Sequence, residues 1–146
     1  MSWLRPFQKL CEIYADSALI VVDETYIEFS DQPSSIAKLD QFANLVVLRT
    51  LSKSHAAAGL RCGAAVARRD VTSLLQKVLA PYPLAAPVMQ AALTILKPEN
   101  TAKLAEKRAD IVTRRNGYAK EFAKLDDVQS VLPSDANYLL LLVRDA

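Results

Sequence analysis

Near the start of the chain, Phe7, Leu10, Cys11 and Tyr14 fall at i, i+3, i+4 and i+7, one apolar face of a helix. Pro6 suits the first turn of that helix, where its missing N–H would have been unpaired anyway. The pattern then shortens. Residues 18–22, ALIVV, are an unbroken apolar run rich in β-branched side chains, the kind that fills strands buried on both faces in helix-covered parallel sheets. It stops at Asp23 and Glu24. Asp31, Pro33, Ser34 and Ser35 mark a loop. A second such run, LVVL at 45–48, ends in the polar stretch 49–53, and AAVA at 64–67 predicts a third strand.

Helical periodicity then takes over. Asp70 can cap a helix with Val71, Leu74, Leu75 and Val78 inward, and Pro81 and Pro83 interrupt it. Pro87 opens another helix, with Val88, Ala91, Ala92 and Ile95 on one face. Pro98, Asn100 and Thr101 start a long helix to about Leu125, with Leu104, Ile111, Tyr118 and Phe122 inward. Asp126 and Asp127 end it, and 128–131 and 138–143 read as short strands. Helices alternating with apolar strands argue for an α/β layer architecture. The change of pattern after the long helix predicts a first unit over 1–98, with 99–146 holding the connecting helix and the beginning of a smaller α+β unit.

Composition narrows the class. At 146 residues, 51% hydrophobic and 23% charged, the chain has the make-up of one soluble globular domain. Its net charge of +2 is not gathered into a stripe, so no nucleic-acid partner is expected. The basic stretch 103–115 is interleaved with Glu106 and Asp110 at helical spacing and reads as a solvated helix face. One histidine and two cysteines without ligand spacing argue against a metal site. The apolar runs are too short to span a bilayer and no signal peptide opens the chain, so no membrane partner and a cytoplasmic setting are expected.

The chemistry gathers at strand ends. Asp23 follows the first apolar strand, Lys53 follows the second and Arg61 precedes the third. In open α/β sheets ligands collect beyond the carboxyl ends of strands. A carboxylate, an amine able to form a Schiff base and a guanidinium suited to a phosphate are the groups that pyridoxal 5'-phosphate requires of a protein.

The local wording is more specific. Residues 22–29, VDETYIEF, resemble the DEAYIEF segment of histidinol-phosphate aminotransferases. Residues 49–63, RTLSKSHAAAGLRCG, resemble that family's lysine segment, and 80–84, APYPL, match a loop typical of the subgroup. The likeness extends to Ala136, Asn137 and Tyr138. It implies a pyridoxal-phosphate-dependent transferase of the aspartate-aminotransferase-like fold, with a mainly parallel sheet flanked by helices. Lys53 would be the Schiff-base lysine and proton carrier, Asp23 the partner of the pyridine nitrogen, and Tyr26 a donor to the cofactor's phenolic oxygen. Arg61 and Ser52 would hold the phosphate, with Thr50 as a weaker candidate; Glu24 and Glu28 match the wording without a cofactor role.

His55 stands where the family usually has a large apolar residue and reads as a substitution just behind the pocket. Tyr82 reads as packing its own loop. The resemblance further implies that the family's phosphate loop, ring-stacking aromatic and NNPTG-type segment would precede this stretch, with its substrate-carboxylate arginines outside it. The implied activity is amino-group transfer between histidinol phosphate and 2-oxoglutarate, on small amino-acid and 2-oxo-acid substrates, by a homodimer. Little activity is expected of these residues alone. The alternatives are a threonine-phosphate decarboxylase-like enzyme, which shares the AGLR segment, and a non-catalytic chain acting only by association.

Overall fold

The computed structural model describes residues 4–144, with side chains from Phe7 onward. Helix α1, Leu4–Ile13, leads into strand β1, Ile20–Asp23. Strands β2, Leu45–Thr50, and β3, Gly63–Ala67, complete a sheet of order β1-β2-β3. Helices α2, Arg69–Val78, α3, Ala86–Ile95, and α4, Pro98–Phe122, follow. Strands β4, Val128–Val131, and β5, Leu141–Val143, pair in a separate antiparallel ladder.

β1 pairs with β2 in parallel, with Asp23 opposite Leu48. β3 runs back along β2, from Val46 opposite Ala67 to Thr50 opposite Gly63. The described three-stranded sheet therefore has one parallel and one antiparallel pairing. The ladder needs a glycine at its last pair: a Cβ on Gly63 would stand 2.8 Å from the carbonyl oxygen of Arg49.

The most deeply buried cluster lies on one side of the sheet. Cys11, Leu45 and Val47 are fully buried, and Phe7, Ile20, Val22, Ile36, Leu39 and Phe42 pack around them. Burying a leucine or valine completely contributes about 1.5–3 kcal/mol, so Leu45 and Val47 are principal contributors. β2 is covered on both faces over Leu45–Val47, as its unbroken apolar run predicts. β1 is not: Val21 and Leu19 are about half exposed, and burial alternates along the strand. On α1, Phe7 and Cys11 turn inward while Leu10, and Tyr14 just past the helix, are nearly half exposed.

Three helix details differ from the sequence pattern. Asp70 lies in the first turn of α2 and makes no capping bond, because Arg68, in extended conformation, occupies the cap position. There Asp70 still favours the positive end of the helix dipole. α4 ends at Phe122, three residues early. Its inward stripe runs through Leu104, Arg108, Val112, Arg115, Ala119 and Phe122, and Tyr118 is 56% exposed. The basic stretch is thus solvated only in part: Arg114 pairs with Asp110 in the open at 2.9 Å, whereas Arg108 and Arg115 turn inward.

Candidate active site

The carboxyl ends of β1 and β2 and the start of β3 enclose a cleft of about 370 Å³. Asp23, Thr50, Ser52 and Arg61 all line it. Parallel pairing puts Asp23 beside Leu48, and the antiparallel return of β3 brings Arg61 back towards Thr50. Strand pairing is therefore what assembles residues far apart in the chain.

Asp23 accepts hydrogen bonds from the backbone N–H of Thr25, at 2.9 Å, and from its hydroxyl, all through Oδ1. Its Oδ2 has no hydrogen-bond partner among the described residues. Thr50 Oγ1 accepts from the Ser52 N–H at 3.1 Å and donates to the Cys62 carbonyl at 3.4 Å, which ties the two ends of the lysine segment together. Arg61 has left-handed backbone, φ 51°, and donates through Nη1 to the Ala58 carbonyl at 3.0 Å. Ala56 is left-handed as well, at φ 52°. Two non-glycine residues in that region store strain of about 1 kcal/mol each in the segment around Lys53.

Lys53 and Tyr26 do not line the cleft. They pair with each other: Lys53 Nζ stands 5.6 Å from the centre of the Tyr26 ring, within reach of a cation–π attraction. Lys53 is exposed and has no ion pair among the described residues. Tyr26 in turn meets Tyr138, from the β4–β5 connection, edge to face at 5.5 Å.

Beneath this surface Glu24 and Glu28 do structural work. Glu24 is 5% exposed, accepts from Ser34 Oγ at 2.6 Å and the Ser35 N–H at 2.5 Å, and faces Arg49 at 3.6 Å. Glu28 also pairs with Arg49. His55 is half-buried, with Nδ1 2.9 Å from Ser54 Oγ. Burial lowers its pKa below the ordinary 6.5; nearby Glu28 pulls it up, and Arg108 and Arg49 push it down. Tyr82 does not pack its loop: it is 94% exposed, with left-handed backbone at φ 55°. A larger hollow of about 640 Å³, lined by Ala57, Leu60, Pro87, Ala91 and Ile95 among others, is walled by uncharged residues and holds none of the candidate groups.

Arg115, within the basic stretch 103–115, is a polar anchor that no local motif marks. Its Nη1 donates to the Ala136 carbonyl at 2.7 Å and to the Phe29 carbonyl at 3.4 Å. The available signal was its position on the apolar stripe of α4, four residues before Ala119 and seven before Phe122.

The chain belongs to a known class of enzymes, the aminotransferases. Residues 4–146 match the family of class I and II aminotransferases. The chain is 41% identical over 137 residues to histidinol-phosphate aminotransferase 2 of Mannheimia succiniciproducens, covering 94% of this chain and 39% of that one. Histidinol-phosphate aminotransferase of Escherichia coli O1:K1 / APEC is 41% identical over 136 residues, covering 93% and 38%. The chain thus spans about two fifths of the length of these curated relatives. The fold recurs in the histidinol-phosphate aminotransferase of Clostridium acetobutylicum (TM-score 0.82, 20% identity, 95% of this chain and 42% of that one). It recurs also in L-threonine-O-3-phosphate decarboxylase of Porphyromonas gingivalis (TM-score 0.80, 24% identity, 95% and 42%). Among the described residues no helix is long and apolar enough to cross a membrane.

Proposed function

We propose that this chain carries the cofactor-binding part of a pyridoxal-phosphate-dependent aminotransferase acting on histidinol phosphate and 2-oxoglutarate, with Lys53 as the amine that bonds the cofactor. One observation carries the reading: Asp23, Thr50, Ser52 and Arg61 share one cleft, and Lys53, next in sequence to Ser52, stands beside the Tyr26 ring. The groups present fit the cofactor. Asp23 offers an oxygen without a partner to a protonated ring nitrogen. Arg61 and the Ser52 hydroxyl offer donors to a phosphate, and Thr50 fixes the turn that presents them. When bound, the cofactor supplies an electron sink for the bonds around the substrate's α-carbon. Tyr26 orients through its hydroxyl, and Lys53 holds and returns the proton at that carbon.

Division into a cofactor unit over 1–98 and the start of a smaller unit over 99–146 belongs to the same reading, as does a homodimeric parent. The APYPL loop and relatives at 41% identity favour the aminotransferase over the decarboxylase. The test is reduction with borohydride after pyridoxal phosphate is added to the chain. Mass spectrometry is expected to find the pyridoxyl group on Lys53, and Lys53→Ala to lose both the label and the cofactor's shifted absorbance. Undiminished labelling and absorbance in Lys53→Ala would overturn the assignment.

A further inference from the structure

The guanidinium of Arg115 joins two segments whose tyrosines, Tyr26 and Tyr138, meet edge to face. Its Nη1 reaches Phe29 O, in the 3₁₀ turn Ile27–Phe29 that Tyr26 opens, and Ala136 O, in the β4–β5 connection that carries Tyr138. Each segment is stiffened locally. The Phe29 N–H donates to Tyr26 O at 2.9 Å. Ser134 Oγ accepts from the Ala136 N–H at 3.1 Å and donates to Tyr138 O at 2.6 Å. Where the two segments meet, Tyr138 contacts the Tyr26 ring, and the Tyr26 ring faces Lys53 Nζ.

We propose that Arg115 is a positioning residue for Lys53: by bridging the Phe29 and Ala136 carbonyls it seats Tyr138 against Tyr26 and holds the Tyr26 ring beside the lysine amine. The geometry gives Arg115 no contact with Lys53, so its action passes through two aromatic rings. An arginine suits the task because its planar fork keeps one N–H-bearing nitrogen fixed between two acceptors. A consequence is that the placement of the β4–β5 unit is felt at the lysine. The inference rests on Lys53 being the functional amine, as proposed above.

The experiment reads Lys53 without any cofactor. Lysines are reductively methylated with ¹³C-formaldehyde, and the Lys53 methyl signal is assigned from its loss in Lys53→Arg. In the unaltered chain the Tyr26 ring current is expected to displace this signal from those of the other lysines. Arg115→Ala and Tyr138→Ala are expected to return it to the position of a solvated lysine, Tyr138→Phe to keep the displacement, and Arg115→Lys to recover part of it. A tie of purely structural value would lower the melting temperature and leave the signal of the folded chain displaced. Tyr138 is 56% exposed, so its variants read the coupling even where Arg115→Ala unfolds. A displaced signal that persists in folded Tyr138→Ala would overturn the proposal. Failure of the chain to take up pyridoxal phosphate, with the methyl shifts as expected, would instead count against the functional reading alone.

Discussion

Asn44 offers a sharp test of what holds the first strand in place. It is 6% exposed, and its Nδ2 lies 3.1 Å from each of three carbonyl oxygens, those of Cys11, Tyr14 and Ala18. Its own carbonyl accepts from the Ile20 N–H at 2.8 Å, so one residue ties the end of α1 to the beginning of β1. The Tyr14 carbonyl has other donors, the N–H groups of Ser17 and Ala18. The Cys11 carbonyl is buried with Asn44 as its side-chain donor. Asn44→Ala removes bonds of about 0.5–1.5 kcal/mol net each and strands a buried acceptor at about 1–3 kcal/mol. The expected loss is roughly 2–4 kcal/mol, a large share of a typical stability of about 5–15 kcal/mol. Asn44→Asp keeps the shape and reverses the chemistry, aiming an anion at three carbonyls. It is expected to be less stable than Asn44→Ala at neutral pH and to recover as pH falls and the carboxyl gains a proton to donate. Urea titrations at matched protein concentration, across pH, provide the measurement. An Asn44→Ala midpoint equal to that of the unaltered chain, or Asn44→Asp the more stable variant at neutral pH, would refute the reasoning.

His55 is the chain's one histidine, so its ring signals in NMR are unambiguous. Its titration midpoint is expected below 6.5, and lower still in Glu28→Gln, which removes the upward pull. Since the fold resists a proton that the unfolded chain accepts at the ordinary value, this contribution to stability is complete above that value. It is lost as pH falls from there through the depressed midpoint; a midpoint above 6.5 would contradict the burial argument. Association is expected as well, because Leu74, Val78, Leu79 and Leu93 expose more than half of their surfaces on and beside α2 and α3. Sedimentation of a dilution series checks this, and a single monomer boundary at high concentration would refute it.

The fold was legible where one interaction dominates. The first three residues of the LVVL run form a strand covered on both faces because apolar burial alone decides it, and the helices open at or near Pro87 and Pro98. Legibility failed where neighbours decide. Leu19 and Val21 are as apolar as Ile20 and Val22, and one-sided packing by α1 and by Ile36, Leu39 and Phe42 separates them. The candidate residues were found from their strand-end positions and local wording, and Asp23, Thr50, Ser52 and Arg61 meet in one cleft because β3 returns along β2. The place of Lys53 against Tyr26, off the cleft wall, is set by tertiary packing that no local pattern encodes. Arg115 was hidden for a plain reason: an arginine amid Arg114, Asn116 and Lys120 reads as solvated, and its two acceptors lie far away in sequence.

The antiparallel return of β3 also has a kinetic meaning. Residues 51–62 leave the sheet at Thr50 and re-enter at its partner Gly63, so both ends of the lysine segment are moored at one rung. Its excursions are those of a closed loop, whose freedom depends on its own length and not on the rest of the chain. The segment can sample alternative shapes, and relax its left-handed Ala56 and Arg61, while the rungs behind it stay shut. Amide hydrogens of the β2 ladder should then exchange with solvent only through wide opening of the sheet, and those of the loop through fluctuations that leave the sheet intact.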